Sequence, residues 1–484
     1  KNRSHWHQLQ GIVYSKFLLS HGKLYPGVKS FLLRCKAKGH KVIVISHKSK
    51  KAHHQSSDIN LRKIAEKWLI LKKIFNTNES LIQKLIFNEN FKGKISEINK
   101  NKPDIFIDDL RKVISSPNLD KKIIKIHFSI NKKDEKSNTK KMMNWHEIDN
   151  FINGHITSRE VRKILNDELV KNPLTIKKIS QGRNAQSFQL KYINYSKFIK
   201  FYPLDKNLYR LKNEIKAYKL LNINNFKDIT DVYKIGSRYN FVIFDWIEGG
   251  SIKKINDDYI HQTVNFIKKL YNLSLSKTIK NIEYASAACF NFKDIKSQID
   301  NRINEFQPYR KKYKKLDNFF NNDFIPLLDK MIKETEKKQK PLSKKKNFFK
   351  NNKTLSPSDF GFHNAKLNKN DTLIFFDFEY FGWDDPVKLI SDFYFHSGMK
   401  LSDGQKKLWL DEMIKIFSPA IIQRLNLFMP LYGLIWSLIT INIFKLQIQK
   451  NDIKHYNKCM NHLQKSKSTL ISTTALFNKN MIKC

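Results

Sequence analysis

Near the start of the chain, hydrophobic residues show a helix-like spacing in one segment and form short continuous runs in others. Residues 23–39 have apolar positions at helical spacing and end in a glycine, and residues 42–45 form an all-apolar run. A second apolar run, residues 105–107, precedes Asp108 and Asp109. Continuous apolar runs of this length are typical of buried strands in a parallel sheet whose faces are covered by helices. The pattern therefore predicts an α/β domain over residues 1–128, with polar groups at the carboxyl ends of its strands.

The pattern changes twice after this domain. Residues 129–155 are charged and poor in apolar residues, which predicts an exposed linker. Residues 156–250 contain three strand-like runs, TIKKIS, SFQLKYI and SKFIKFY, then a helical pattern and a further apolar strand. From residue 251 onwards, apolar residues mostly recur every three or four positions. This spacing predicts a mostly helical domain over residues 251–484.

Composition and charge narrow the class of protein. The 484 residues are 40% hydrophobic and 12% aromatic, which is typical of a globular protein with buried cores. The formal net charge of +46 is spread along the whole chain, and no recognised nucleic-acid-binding motif accompanies it. We therefore expect weak, non-specific binding to polyanions and no specific nucleic-acid partner.

Cysteine usage and hydropathy suggest a location. The four cysteines are far apart and match neither a metal-binding motif nor a disulfide framework, which indicates a reducing, cytoplasmic compartment. Residues 1–10 are polar, so no signal peptide is predicted. The longest uncharged stretch, residues 427–444, just reaches the length of a membrane span but contains Pro430 and Gly433. We predict that it forms a buried helix and does not span a membrane.

Residues 355–393 contain the highest concentration of candidate catalytic and metal-binding residues. Asp359 and Asn364 are five positions apart in a turn-rich loop, and the β-branched and aromatic run 372–378 delivers Asp377 near its end. Phosphoryl transfer needs this combination: one carboxylate accepts the proton of the attacking hydroxyl, while an amide and a second carboxylate hold Mg²⁺. The spacing alone also fits an ordinary polar turn. The order of loop before strand, however, matches the order of these parts in kinases.

The stretch FFDFEYFGWDDPVKLISDF resembles the corresponding part of the aminoglycoside phosphotransferase and choline kinase-like family. The resemblance covers about residues 170–450. It implies a bilobal, protein-kinase-like fold that transfers the γ-phosphate of ATP, with Mg²⁺, to a hydroxyl of a small acceptor. That family usually has a histidine two residues before the catalytic aspartate, where this chain has Pro357, and the difference affects loop geometry more than chemistry. The matching positions are Asp377, Glu379, Gly382, Asp385, Pro386 and Asp392.

The resemblance also implies roles for individual residues. Asp359 would be the catalytic base, and Asn364 and Asp377 would be ligands of Mg²⁺. Lys200 on the third strand would contact the inner phosphates of ATP and be held by Glu214 on the next helix. A glycine-containing turn between the first two strands and the backbone of the hinge between the lobes would contact the nucleotide. These last positions are Gly182, Arg183 and Asn184 in the turn, and Phe244, Asp245, Trp246 and Ile247 in the hinge.

A second resemblance covers about residues 11–128. Ser46 after one strand, Lys94 before a helix, and Asp108 with Asp109 after a later strand resemble three motifs of haloacid dehalogenase-like phosphohydrolases. The resemblance implies a doubly wound parallel sheet, phosphate contacts from Ser46 and Lys94, and Mg²⁺ binding by Asp108 and Asp109. The alternative is that the two aspartates only begin a loop.

The nucleophilic aspartate of that family is missing. The place of the first strand, residues 11–17, contains GIVYSKF, and the first acidic residue of the chain is Asp58. Without the carboxylate no aspartyl-phosphate intermediate can form. We therefore predict that this domain, as given, is not a phosphatase.

Several questions stay open at this stage. The acceptor is not readable from the sequence, although a phosphatase-like partner domain suits the handling of phosphosugars and so favours a sugar. Asp384, Asp385 and Glu379 would form an acidic pocket for a cationic acceptor or, more simply, have structural roles. His363 suits a packing role better than that of a base. A non-catalytic, nucleotide-binding scaffold and a phosphatase with a longer N-terminus are the alternative functions, and the oligomeric state is not predicted.

Overall fold

The chain folds into two compact units of mixed helix and strand. The computed structural model describes residues 12–51, 60–76, 80–130, 140–181, 185–202, 208–276, 279, 281–343, 353–446 and 453–479. Unit 1 comprises Lys1–Leu211 and Val232–Trp246, and unit 2 comprises Lys212–Asp231 and Ile247–Cys484. Both contain helices and strands, so the mixed α and β class is confirmed.

The first part of unit 1 alternates helices with short strands. Its second helix ends at Gly39, whose left-handed φ of 82° lets the chain turn back towards the first strand. After a π-helical turn (Val13–Phe17), the elements are α1 (Leu18–His21), α2 (Val28–Lys38), β1 (Ile43–His47), α3 (Leu61–Leu71), β2 (Lys84–Asn88), α4 (Phe91–Asn101), β3 (Ile105–Asp108), α5 (Arg111–Ile114), β4 (Ile124–Phe128), β5 (Lys140–Met142) and α6 (Trp145–Asn153).

The strands of this part form two parallel sheets, β1–β2 and β3–β4–β5. Helix α4 packs on β1 and β2. Its Ile95 and Ile98 also share one apolar cluster with Ile45 of β1 and Phe106 of β3, so the helix covers strands of both sheets. Within the described residues, β1 and β3 are each paired along one edge only.

The single doubly wound sheet expected from the sequence is therefore not formed by the described residues. The place expected for its first strand, residues 11–17, starts outside the described residues and continues as the π-helical turn Val13–Phe17. A helical backbone offers no ladder of hydrogen bonds to a neighbouring strand. The likeness of this part to the dehalogenase group stays a prediction.

The segment expected to be a linker is partly folded, which corrects that expectation for its second half. Asn144 caps α6 by accepting a hydrogen bond from Glu147 N–H (2.9 Å). Arg34 of α2 then forms buried ion pairs with Asp149 of α6 and, at 3.0 Å, with Glu160. Charged side chains of this segment therefore form ion pairs inside the protein and are not all exposed to solvent. Its most charged stretch, residues 131–139, lies outside the described residues.

The rest of unit 1 is an antiparallel sheet of five strands in the order β6–β7–β8–β10–β9. Lys200 lies in β8 opposite Val242 of β10 and is buried, with its ammonium group 4.8 Å from the centre of the Tyr202 ring. The elements are α7 (Ser158–Asp167), β6 (Thr175–Gln181), β7 (Gln186–Lys191), β8 (Ser196–Phe201), β9 (Val232–Ile235) and β10 (Phe241–Asp245).

A buried carboxylate joins α7 to the turn between β9 and β10. Glu168 accepts hydrogen bonds from the backbone N–H groups of Ser237 (3.0 Å), Arg238 (2.7 Å) and Tyr239 (3.2 Å), and from the Ser237 hydroxyl (2.7 Å). Burial alone would raise the pKa of Glu168, but these hydrogen bonds outweigh it and hold the pKa below its ordinary value. The ionised carboxylate is therefore the form that stabilises the fold.

Replacing Glu168 with glutamine is expected to lower the free energy of unfolding by about 2–3 kcal/mol at pH 7, because several donors lose a charged acceptor. A lowered folded pKa gives a stabilisation that is complete above the pKa of the unfolded chain and is lost as pH falls through the folded pKa. Urea unfolding of both proteins at several pH values should therefore show the difference shrinking in acid. E89Q, which changes an exposed glutamate of the same unit, is the control. An equal loss for E168Q at all pH values would contradict this account.

In its described residues, unit 2 is mostly helical, with four short strands in two antiparallel pairs, β11 with β14 and β12 with β13. Its elements are α8 (Tyr209–Ile223, which begins in unit 1), α9 (Asp257–Ser274), α10 (Phe292–Arg310), α11 (Lys314–Asn318), α12 (Ile325–Ser343), β11 (Thr354–Ser356), β12 (Ala365–Leu367), β13 (Leu373–Phe375), β14 (Gly382–Asp384), α13 (Pro386–Phe395), α14 (Asp403–Phe417), α15 (Ile421–Thr440) and α16 (Ile453–Lys479).

The long apolar helix α15 lies in the core of unit 2. It packs against α10, α12, α13 and α16. An added Cβ at Gly433 would collide with Thr473 of α16, so the glycine permits the close approach of these two helices. In the part of the chain that the structure describes, Ile421–Lys445 is the one segment long and apolar enough to cross a bilayer, and most of it is buried, as in a core helix.

Candidate active site

The loop that carries Asp359 is fixed at both ends by strands. It runs from β11, whose Ser356 pairs with Gly382 of β14, to β12, whose Ala365 pairs with Phe375 of β13. An added Cβ at Gly382 would collide with backbone atoms of residues 283–285, so only glycine lets these segments approach this closely. The loop therefore sits on a short, closely packed framework.

Two hydrogen bonds connect the loop to the end of β13. Phe376 N–H donates to the backbone oxygen of Asn364 at 3.0 Å, one step beyond the last ladder pair of β12 and β13. The Asn364 side chain donates from Nδ2 to the backbone oxygen of Asp359 at 2.9 Å. Asn364 thus lies beside the residue that precedes Asp377, and its Oδ1 remains available as a ligand.

Phenylalanines of the loop anchor it in the core. The Phe360 ring stacks on Phe266 of α9 (centroids 5.6 Å apart) and lies 5.1 Å from the ring of Phe375. Phe362 contacts Phe393 of α13 edge-on at 5.7 Å. Aromatic pairs at these distances add to the gain from burial, so the loop conformation is stabilised from within the unit.

Serines stabilise the turn around Pro357, where the resembling family has a histidine. Ser358 N–H donates to Ser356 Oγ at 3.0 Å, and Ser358 Oγ donates to the backbone oxygen of Ser286 at 3.2 Å. Ser358 has a left-handed φ of 67°, which the two hydrogen bonds help to hold. The loop geometry that the missing histidine placed in question is thus supported by other contacts.

Asp377 belongs to a cluster of three carboxylates. Glu214, Asp377 and Glu379 each offer an oxygen within 4.8 Å of the others, and the side chains of both glutamates are buried. Asp377 adopts a left-handed φ of 68°, which is uncommon for a residue with a side chain and often marks a functional position. Carboxylate oxygens, together with Oδ1 of Asn364, are the donors that Mg²⁺ prefers. The donor set therefore fits this ion.

Asp359 is held by a histidine and remains accessible. His363 Nε2 lies 3.0 Å from Asp359 Oδ1, and 46% of the aspartate side chain is exposed. The His363 ring in turn stacks on the ring of His396, with centroids 4.2 Å apart and planes 9° apart. Burial would raise the pKa of Asp359, but His363, His396 and Asn364 outweigh it and keep the pKa below its ordinary value. The carboxylate is therefore ionised at neutral pH.

Burial, together with the nearby charge of His363, lowers the pKa of His396 to about 4. Its ring is accordingly uncharged at neutral pH. The Trp436 ring lies edge-on to it at 4.8 Å.

The acids that follow β14 are paired inside the unit. Asp384 is fully buried and binds Lys388 at 3.0 Å, and Lys388 also binds Asp392 at 2.7 Å. Asp385 caps α13 by accepting from Val387 N–H, and its other carboxylate oxygen forms an ion pair with buried Arg424. These contacts favour structural roles for Asp384 and Asp385 over an acidic pocket.

No family model matches the sequence, and no curated protein matches it. Solved structures do. An ethanolamine kinase of Plasmodium vivax is 16% identical over 68% of this chain and 96% of its own, with a TM-score of 0.45. A choline kinase from Streptococcus pneumoniae is 13% identical over 64% of this chain and 98% of its own, with a TM-score of 0.41.

The AMP-bound spectinomycin phosphotransferase APH(9)-Ia is 11% identical over 66% of this chain and 99% of its own, with a TM-score of 0.48. The chain is therefore similar to kinases and phosphotransferases that are named for small molecules.

The residues expected to contact the nucleotide are only partly described. Gly182, Arg183 and Asn184 lie outside the described residues. In the hinge segment, Phe244 is buried in β10, Asp245 ends this strand and pairs with Lys197, and Trp246 and Ile247 are half-buried. Lys200 belongs to unit 1 and most of α8, including Glu214, to unit 2. Their predicted roles stay predictions.

Two of the four site residues expected in the N-terminal domain lie in contact. Lys94 of α4 and Asp108 at the end of β3 form a buried ion pair, and Asp108 Oδ1 also accepts from Leu110 N–H at 2.9 Å. Ser46 lies in β1 opposite Phe87 of β2. Asp109 is exposed, and its backbone oxygen bonds to His127 Nε2 at 3.2 Å. The absence of phosphatase activity also stays a prediction.

Sequence reasoning did not predict where two residues of the site lie. Glu379 was part of the matching motif, and its position two residues after Asp377 is the signal that could have placed it beside the metal ligands. His396 gave no signal, because it follows α13 and reaches His363 only through the packing of that helix.

Proposed function

We propose that the chain is an ATP-dependent phosphotransferase whose acceptor is a hydroxyl of a small molecule. The observation that carries the proposal is the hydrogen bond from Phe376 N–H to the backbone oxygen of Asn364 (3.0 Å). It holds the loop of Asp359 beside the strand that delivers Asp377. From this we infer that base, amide and carboxylate act together, as phosphoryl transfer requires.

Each residue has a defined task in this proposal. Asp359 orients the acceptor hydroxyl and takes its proton, and its ionised, half-exposed carboxylate suits this task. Asn364 and Asp377 would hold Mg²⁺, with Glu379 adding negative charge close by. When bound there, the ion would supply positive charge to neutralise the ATP phosphates. Positioning and charge neutralisation then provide most of the rate acceleration.

Two of the three acids that could have formed a pocket for a cationic acceptor are paired within unit 2, which favours a neutral acceptor. Asp384 and Asp385, which would have attracted a cation, are buried and neutralised by Lys388 and Arg424. A buried and paired carboxylate projects little negative potential into solvent. We therefore keep a sugar as the first candidate, with amino alcohols as the comparison.

The test measures acceptor-dependent conversion of ATP to ADP with Mg²⁺ present. Purified protein is incubated with sugars and, separately, with amino alcohols, and the phosphorylated product is identified by mass. We expect turnover above the rate with ATP alone for at least one acceptor. Nucleotide binding without turnover on any acceptor would favour the alternative of a non-catalytic scaffold.

A further inference from the structure

Three metal-binding side chains meet beside the proposed catalytic base. Asp359, His363 and His396 each offer one ligand atom, a carboxylate oxygen or a ring nitrogen, and these atoms lie within 4.8 Å of one another. His363 and Asp359 are on one loop, and His396 directly follows α13. The side chains of His363 and Asp359 are 30% and 46% exposed, so a small ion can reach them.

We propose that Asp359, His363 and His396 form a binding site for a transition-metal ion of the Zn²⁺ class, separate from the Mg²⁺ site at Asn364 and Asp377. Two imidazole nitrogens and one carboxylate oxygen are a common three-ligand set for such ions, and water or another small ligand completes the coordination.

The two sites select different ions through their donor atoms. The cluster of Asp377, Glu214 and Glu379 offers only oxygen, which Mg²⁺ prefers. Imidazole nitrogen binds Zn²⁺, Co²⁺, Ni²⁺ and Cu²⁺ far better than it binds Mg²⁺. A millimolar excess of Mg²⁺ should therefore leave the histidine site open to Zn²⁺, although the two sites are adjacent in sequence at His363 and Asn364.

Local side-chain motion is enough to bring the donors together. The lone pairs of an imidazole lie in its plane, so the stacked rings of His363 and His396 must rotate about their Cβ–Cγ bonds to face one ion. This torsion is soft for histidine. His396 Nδ1 also accepts from Gly398 N–H at 3.1 Å, a contact that an ion on this ring replaces. At His363, the ion takes the place of the proton shared between Nε2 and Asp359 Oδ1.

Occupation of this site has a consequence that rests on the proposed function. A cation bound to the Asp359 carboxylate lowers its basicity, so the carboxylate takes the proton of the acceptor hydroxyl less readily. The ion is therefore expected to inhibit phosphotransfer while leaving nucleotide binding at the Mg²⁺ site intact.

The test compares Zn²⁺ binding by the full-length wild type with that of His396→Phe. Phenylalanine keeps a ring against His363 and Trp436 and removes both nitrogens. Binding is measured by competition with a chromophoric zinc chelator in the presence of excess Mg²⁺. We expect the variant to lose one equivalent of bound zinc or to bind it at least about tenfold more weakly, as when support of a metal ligand is removed. His261→Phe, which changes an exposed histidine of α9, is the control and should match the wild type.

Histidines outside the proposed site can also bind zinc in these proteins. The site is therefore judged by the difference in zinc binding between His396→Phe and the other two proteins. Equal stoichiometry and affinity in wild type and His396→Phe would overturn the site. A second measurement separates it from the proposed function: zinc inhibition of transfer, expressed relative to each protein's own zinc-free rate, should be relieved at least about tenfold in His396→Phe. If the variant loses zinc binding but no acceptor supports turnover, the zinc site is supported and only the phosphotransferase proposal is wrong.

Discussion

Replacing Asp359 with asparagine is expected to lower kcat for phosphotransfer by about three powers of ten. Asparagine has nearly the same shape and keeps a polar contact with His363, but its amide cannot take the proton of the acceptor hydroxyl. The Kd for the nucleotide with Mg²⁺ should change by less than about threefold, because Asn364 and Asp377 are intact. Steady-state kinetics and nucleotide binding on the same preparations measure both quantities.

The control for this exchange is Asp403→Asn, at a fully exposed aspartate that begins α14 in the same unit. It should retain wild-type kcat. Unfolding midpoints of both variants check that the loop framework is undamaged. Undiminished turnover in the Asp359 variant would show that another group takes the proton, and the assignment of the base would be wrong.

Replacing Arg424 with methionine is expected to lower the free energy of unfolding by about 3–5 kcal/mol at pH 7.5. The exchange leaves Asp385 as an uncompensated carboxylate in the core, where both partners are at most 4% exposed. Burial raises the pKa of Asp385 to about 7, against the opposing charge of Arg424, so the aspartate takes up a proton readily in the folded protein. A raised folded pKa gives stability at low pH that is lost as pH rises, so the damage should shrink at pH 5.

The double variant Asp385→Asn with Arg424→Met tests whether the loss of stability comes from the unpaired charge of Asp385. Asparagine still accepts the capping hydrogen bond from Val387 N–H that Asp385 makes. The double variant should therefore be more stable than Arg424→Met alone when urea unfolding is followed by circular dichroism. A double variant that is as unstable as the sum of the two single changes would mean that packing, and not charge, accounts for the loss.

The local structure around the predicted site residues was predictable where it depends on neighbouring residues. Asp359, Asn364 and Asp377 are connected by one loop and one hairpin, and the turn residues and the β-branched strand predicted both elements. The hydrogen bond between Phe376 and Asn364 follows from that hairpin.

The parts that sequence reasoning missed depend on contacts between distant segments. His396 meets His363 because α13 packs beside the loop, and Asp149 pairs with Arg34 across a long separation in sequence. The charged residues of 129–155 predicted an exposed linker, because the residues that pair with these charges lie elsewhere in the chain. Asp384 and Asp385 were ambiguous for the same reason, because only Lys388 and Arg424 decide whether these acids face a ligand or the core.

The half-paired strands β1 and β3 have a consequence for how copies of this chain behave together. A strand whose edge is unpaired, as these are within the described residues, can be a template for a strand of another molecule, especially when it is hydrophobic. The net charge of +46 opposes such encounters, since like-charged molecules repel one another over a distance that shrinks with added salt. We therefore expect the abundance of lysine to oppose aggregation through these edges, most strongly at low ionic strength.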